Sequence, residues 1–218
     1  DFLVSTPMGQ IKTPKLLMAV NGFMASAGVK RRQAFPLTLT ASMTRPLTDV
    51  EHAAIGNPEP WGLLSAQAMG ATVRLTQDRR IMVRNTAEVR PGMNMSASEL
   101  EKRKATHVRG LNRRFPELPA DVFNSTWSGI TCISGNNGQV FDQLDSGLLV
   151  AGCYNGGGSG LATLFGEQMA HMANGEMTDS MAMIQARPKP NALPLQPILG
   201  WGVRLRLMRD RVIARNEN

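Results

Sequence analysis

The sequence predicts an α+β fold, an antiparallel or mixed sheet with flanking helices, and three stretches carry that prediction. Residues 71–76 and 80–84 are runs of β-forming residues on either side of the polar turn Gln77-Asp78-Arg79, which reads as a hairpin. Residues 98–101, Ser-Glu-Leu-Glu, have the spacing of a capping box, and Leu100, Val108 and Leu111 then mark one helical face through Arg114. Residues 148–151 form a short buried strand that passes through a glycine-rich stretch into a helix. There Leu161, Leu164, Phe165, Met169 and Met172 recur at helical spacing, with Asn174-Gly175 as C-cap. At 218 residues and 42% hydrophobic, the chain is long enough to bury a sizeable core.

In chain order, residues 1–20 read as two short strands joined by a turn at Pro7-Met8-Gly9, the second ending in an apolar run before Asn21-Gly22. Such a hairpin is marginal alone and needs a larger sheet. With Asp1 in place of an initiating Met, the stretch reads as the middle and end of a longer protein. Residues 37–43, between Pro36 and Pro46, form a strand. In the hairpin Val73 and Leu75 face one side while Arg74 and Thr76 face the other, and Arg80, Met82 and Arg84 share a face of the second strand. Arginines so placed read as a solvated edge or as substrate-facing groups. Charges on the 98–114 helix lie outward, its basic last turn suits the helix dipole, and Pro116 and Pro119 stop it. Residues 122–127 and 129–133 read as two strands. The tail from Arg187 begins as a proline-rich strap and continues as a strand that becomes a short basic helix. The methionines at 169, 172, 177, 181 and 183 read as adaptable core.

Charge narrows the function. The net charge of +7 is unevenly spread: residues 1–114 carry 17 basic and 8 acidic groups, residues 187–218 carry 7 and 2, and the 72 residues between them hold 7 acids and no Lys or Arg. A basic protein invites a nucleic-acid reading, but aromatics are only 5% and no long basic cluster interleaves with them, so no nucleic-acid partner is expected. Cys132 and Cys153 are too few for a disulfide framework and lack zinc spacing. They read as free, partly buried thiols in a reducing, cytoplasmic setting. No metal site and no membrane span are expected. His52 and His107 lack a second ligand or an acidic orienter at short spacing and read as structural.

The block without cations holds the informative motif, Gly152-Cys-Tyr-Asn-Gly-Gly-Gly-Ser-Gly160 between a strand and a helix. Strand, glycine loop and helix aim free backbone N–H groups at an anion or a polarised oxygen, and glycines let a ligand approach the backbone. The spacing is not the dinucleotide fingerprint of a βαβ unit, since no ribose-binding acid follows, nor a phosphate loop, which ends in Gly-Lys-Ser/Thr. On spacing alone a tight connection and a binding loop stand level.

Taken together, Phe115-Pro-Glu-Leu118, Trp127-Ser-Gly129, Ala151-Gly-Cys-Tyr-Asn-Gly-Gly-Gly158 and the helix through Gly166 and Ala170 resemble the carboxyl half of FAD-dependent oxidoreductases of the D-amino-acid oxidase and glycine oxidase family. Residues 70–76 and 80–85 are similar to substrate-domain strands of its γ-glutamylputrescine oxidase branch, and residues 13–23 look like the segment that closes the flavin domain. The resemblance covers about residues 1–180. It implies residues 1–30 as closing strands of a Rossmann-like FAD domain, 31–121 as the substrate-binding domain, 122–180 as the return to the FAD domain with the flavin loop and helix, and 181–218 as a basic, proline-rich tail. The family's amino-terminal dinucleotide-binding half is absent from these residues and is an expected partner.

The resemblance further implies non-covalent FAD contacts from Trp127, Ser128, Gly129 and from Tyr154, Asn155, Gly156, Gly157, Gly158, Ser159 and Gly160, where family members wrap the pyrimidine edge of the flavin. Carboxylates are absent between Asp145 and Glu167, which suits a place where negative charge develops. Arg74, Arg84 and Thr131 are substrate-side candidates, and no residue is assigned as catalytic base. Several positions depart from the family. Gly157 replaces a His or Val, and Thr131 stands where glycine oxidases hold the substrate carboxylate with an arginine. Cys132 is one residue away from the covalent-flavin cysteine of sarcosine oxidases, and a one-residue offset reverses the strand face. Ser134-Gly-Asn136 and Gln139 replace the usual Thr-x-Asp and Pro. An amine or N-substituted amino compound is therefore the expected substrate over a simple α-amino acid, oxidised at its C–N bond to an imine. The alternative is a noncatalytic fragment or assembly subunit that cannot bind FAD alone; homo-oligomerisation stays open.

Overall fold

The computed structural model describes residues 1–90, 92 and 94–216. Among these residues ten strands and five α-helices follow in chain order, with one 3-10 turn at Asn21–Phe23: β1 (Phe2–Thr6), β2 (Gly9–Thr13), β3 (Leu16–Met18), β4 (Phe35–Thr44), α1 (Asp49–Ala54), β5 (Trp61–Leu64), β6 (Thr72–Leu75), β7 (Ile81–Glu88), α2 (Ala97–Arg114), β8 (Phe123–Ile133), β9 (Val140–Asp145), β10 (Leu148–Gly152), α3 (Gly158–Ala173), α4 (Asp179–Gln185) and α5 (Ile198–Ile213). The α+β class is the one predicted. The chain divides into two units, Asp1–Pro36 with Thr131–Leu195, and Leu37–Ile130 with Gln196–Asn218.

The first unit is built around β10, four of whose five residues are buried. It lies between β3, which it pairs in parallel, and β9, which it pairs antiparallel. Residues 2–13 form the expected hairpin, but its second strand does not run on through the apolar stretch: Leu16–Met18 separates and pairs with Leu148–Val150 instead. Packing the half-buried Leu16 and Met18 beside a mixed sheet satisfies backbone and side chains at once, which a lone two-stranded hairpin cannot do. Phe141, Ala151, Tyr154, Phe165 and Met169 join Met181 and Ile184 of α4 in one core, while Met24, Cys132, Val140, Val150 and Cys153 form another. Among the methionines read as core, Met169 and Met181 are buried and Met172 packs beside them, whereas Met177 and Met183 are exposed.

The proline-rich strap is fastened to this unit by polar contacts. Asp142 on β9 pairs with Lys30 at 2.5 Å and Lys189 at 2.8 Å. Burial works against its charge, but the Lys189 and Lys30 ammonium groups outweigh it and hold the carboxyl below its ordinary range. Gln33 donates to the Pro190 carbonyl at 2.8 Å and Asn136 donates to that of Lys189 at 2.9 Å. A Cβ on Gly138 would lie 2.8 Å from the Pro188 oxygen, so only glycine lets the strap lie this close. Asp142→Asn removes the charge between two cations, and a loss of about 2 kcal/mol in urea unfolding at neutral pH is expected.

The second unit is a five-stranded sheet in the order β5-β6-β7-β4-β8. The predicted hairpin is present, with Val73 opposite Val83 and Leu75 opposite Ile81 in the core. Arg74 and Thr72 point the other way, on the face shared by Met82 and Arg84. Helix α2 is capped two residues earlier than the sequence suggests. Ser96 accepts from the Glu99 amide, and the Glu99 carboxylate returns to the Ser96 amide at 2.9 Å. Both Ser-x-x-Glu frames fit the motif; Arg90, 2.6 Å from Glu99, favours the earlier one, while Glu101 faces Lys104 at 3.7 Å. The two strands expected over 122–133 are one, because Gly129 is simply extended with open space about its Cβ position. Residues 198–213 are helical throughout, not strand then helix: the alternation Val203-Arg-Leu-Arg-Leu207 mimics a strand, but Leu207 packs with Met69, Ala87 and Ala214 from a helical face.

Under α2 lies a polar core. His107 is fully buried, its Nδ1 2.6 Å from the Ser42 hydroxyl and its Nε2 3.2 Å from that of Thr40. Ser42 also meets Thr126 at 2.8 Å, and Thr40 meets Thr86. The hydroxyls of β4 thus satisfy an imidazole that burial holds down to a pKa of about 4.

Candidate functional site: the glycine loop before α3

The strand–loop–helix motif forms as the sequence suggests. After β10 the chain turns through Cys153 (φ 57°), Asn155 (φ 52°) and Gly156 (φ 92°) into α3. Two left-handed non-glycine residues are costly and need outside support. Asn21 supplies part of it, its side-chain oxygen accepting from the Cys153 amide at 2.9 Å. Asn155 supplies more: its amide N–H donates to the Cys132 carbonyl at 3.0 Å, its side-chain oxygen accepts from the Ser134 amide at 2.8 Å, and its side-chain nitrogen donates to the Gly138 and Cys153 carbonyls. Gly152 sits under the loop, where an added Cβ would come within 3.0 Å of the Asn21 backbone. Asn155→Ala strips the side-chain bonds to Ser134, Gly138 and Cys153 from the loop, and a loss of about 2 kcal/mol in unfolding, with faster proteolysis within 153–160, is expected.

What the loop presents is backbone. Gly156, Gly157, Ser159 and Gly160 are exposed, and open space surrounds the Cβ positions of Gly156 and Gly160. Helix α3 has no side-chain cap and no acidic residue in its first turn. Its first N–H groups have no intrahelical acceptor, so Gly158, Ser159 and Gly160 aim donors and the positive end of a four-turn helix outward. The arrangement can hold an anion or an oxygen on which negative charge accumulates.

The other sequence candidates fall out as follows. Tyr154 contributes its ring to the core, edge-on to Phe165 at 5.6 Å, and burial raises its pKa. Asn155 spends its side chain on positioning. Thr131 is half-buried one residue before Cys132, whose carbonyl receives the loop. Cys132 and Cys153 are free, buried and hydrogen-bonded to each other, and that bond together with burial raises the Cys153 thiol. In the second unit, Trp127 is exposed on the edge strand β8, with Ser128 half-buried and Gly129 exposed beside it. Arg84 is tied to Thr72 at 2.6 Å, and burial lowers its pKa. Arg74 is exposed across Gly62 with no ion pair among the described residues. Residues 154–160 with Thr131, and Arg74 with Arg84, are thus brought together within their own units. The supports from Asn21 and the His107 network escaped the sequence reading. Asn21-Gly22 signals only a turn, and the partners of His107 lie 65 and 67 residues away.

Among the described residues no cluster of His, Cys, Asp and Glu is arranged to hold a metal ion, and no helix is long and apolar enough to cross a membrane. The family described as DAO, FAD dependent oxidoreductase, matches residues 2–172, a span that includes the whole loop and nearly all of α3. The chain belongs to this family. No curated protein sequence matches it. Solved structures share the DAO-family fold. Iminodiacetate oxidase from Chelativorans sp. BNC1 superposes with a TM-score of 0.63 at 14% identity, over 85% of this chain and 49% of that one. Glycine oxidase from Geobacillus kaustophilus gives 0.60 at 17%, over 81% and 46%. L-proline dehydrogenase from P. horikoshii gives 0.59 at 19%, over 86% and 51%. The chain spans about half the length of these structures.

Proposed function

We propose that this chain is the substrate-binding and flavin-capping part of an FAD-dependent oxidoreductase that oxidises the C–N bond of an amine or amino acid. The observation that carries the reading is the exposed, uncapped and carboxylate-free start of α3, held open by glycines in a chain of the DAO family. FAD held there would supply the two-electron acceptor for a hydride from the carbon next to nitrogen, leaving an imine. The donors of Gly158, Ser159 and Gly160 and the helix dipole would stabilise negative charge that develops on the flavin ring. Trp127, Ser128 and Gly129, in the second unit, are proposed as flavin contacts on the family resemblance alone, and the adenosine end is assigned to an amino-terminal dinucleotide-binding half.

Arg74, exposed and without an ion pair among the described residues, is the proposed anchor for an anionic substrate group, and Arg84 stiffens the strand pair beside it. Thr131 in place of an arginine favours amines and N-substituted amino compounds, and residues 70–76 and 80–85 favour the γ-glutamylputrescine oxidase-like branch. The buried free thiols favour a reducing, cytoplasmic setting. A second reading, a noncatalytic assembly subunit, draws on the chain spanning about half of its solved relatives.

Titration of the 218-residue chain with FAD, followed by flavin fluorescence, tests the assignment. One rim of a cofactor site binds weakly, so a Kd on the order of 1 mM is expected. Riboflavin is expected to compete and ADP to fail. Competition by ADP, or no interaction at all, contradicts a site for the flavin ring.

A further inference from the structure

Helix α5 has two apolar faces, and only one of them is buried. Leu207 and the adjoining Ala214 pack with Met69 and Ala87, and Arg211 donates to the Ala87 carbonyl at 2.7 Å, so the helix is fixed to the second unit. Turned away from that contact, Ile198, Trp201, Leu205, Met208 and Val212 recur at three- and four-residue steps, between 59% and 70% exposed. That spacing draws a continuous stripe along the helix.

Arginines border the stripe on both sides. Arg204, between Trp201 and Met208, falls along one border and Arg209, between Leu205 and Val212, along the other, each three or four residues from those stripe positions, whereas Arg211 is spent on the Ala87 carbonyl. The helix has a single acid, Asp210, which is mostly buried and faces Arg206 at 3.7 Å. Arg204 and Arg209 have no ion pair among the described residues. Arginine stems lie along apolar surface while their heads stay in water, and a tryptophan in the stripe suits the headgroup boundary of a bilayer.

We propose that α5 is an in-plane docking helix for an anionic lipid surface, its stripe sunk into the headgroup boundary and Arg204 and Arg209 at its borders paired with lipid phosphates. The charge pattern selects this occupant over a second copy of the chain. Two such stripes packed together would bring the arginine borders of both helices against each other with no acid to pair them. A lipid surface offers negative charge on both sides of the stripe and an apolar layer beneath it.

Co-sedimentation of the full chain with vesicles tests this, using phosphatidylcholine alone and phosphatidylcholine mixed with phosphatidylglycerol. The chain is expected to partition onto the mixed vesicles, to release as salt is raised, and to bind neutral vesicles at least tenfold more weakly. Trp201→Ser with Leu205→Ser, and separately Arg204→Gln with Arg209→Gln, are each expected to lower partitioning on the order of tenfold while leaving the melting curve unchanged. Brominated lipid is expected to quench the native chain, and the quenching to fall in Trp201→Phe. Absence of binding to mixed vesicles overturns the proposal. So does binding that the paired substitutions leave unaltered. A concentration-dependent dimer in lipid-free sedimentation that the stripe substitutions abolish, or loss of vesicle binding when a flavin-carrying half is added, assigns the stripe to another occupant and overturns it as well.

Discussion

Ser159→Asp is expected to weaken riboflavin and FAD binding roughly tenfold to a hundredfold while leaving the protein slightly more stable. The side chain is exposed in the first turn of α3, where no acid and no capping side chain now stand. A carboxylate there interacts favourably with the helix dipole and free N–H groups, for a gain of roughly 0.5 kcal/mol. It takes up the same donors that a flavin edge needs and repels the negative charge that builds there. The loss is therefore larger for reduced flavin than for oxidised flavin. A tight connection with no ligand gains stability and loses nothing, so paired measurements of melting and flavin affinity separate the two. Ser159→Ala is the control, expected to leave both nearly unchanged.

Acidification is expected to cost the fold roughly 3 kcal/mol between pH 6.5 and pH 4 through His107 alone. The imidazole stays neutral in the folded state down to about pH 4, whereas in the unfolded chain it takes a proton near 6.5. Below 6.5 the unfolded state therefore binds more protons. The stability is complete above that pH, declines as pH falls, and is lost once the folded group itself titrates. The carboxylates held low by partners act in a more acidic window: Arg45 holds Glu51 near 2, and the Ser96 amide with Arg90 holds Glu99 near 2. Urea unfolding across the pH series reads the slope. His107→Leu is expected to flatten it between 6.5 and 4.5. The same variant is expected to destabilise the protein by about 3 kcal/mol at pH 7, since Ser42 and Thr40 lose a buried partner. An unchanged slope contradicts the buried neutral imidazole.

The parts legible in the sequence are those whose signals are local. The hairpin of β6 and β7 shows in alternation about a polar turn, α2 in its apolar spacing, and β10 with α3 in a strand, glycines and a helical stripe. Where local signals compete, distant partners decide. Arg90 selects Ser96 over Ser98 as the cap of α2, the parallel pairing with β10 detaches Leu16–Met18 from the first hairpin, and a cluster around Met69 makes a helix of a stretch that alternates like a strand. The candidate site divides in the same way. The glycines and the helix start were legible because backbone exposure follows from missing side chains. The roles of Asn155 and Asn21 were not, since positive φ and carbonyl partners from β8 and the 134–138 turn appear only in the folded chain. Tyr154, grouped with the loop by adjacency, belongs to the core because Phe165 follows it at a distance that α3 folds back.

The central claim is that the exposed backbone at the start of α3 meets a flavin ring. Amide-resolved NMR of the isotope-labelled chain titrated with riboflavin tests it most directly. The account predicts saturable shifts concentrated on the amides of residues 156–161, absent in Ser159→Asp and absent with ADP. Shifts confined to other segments, or none at riboflavin's solubility limit, would contradict it.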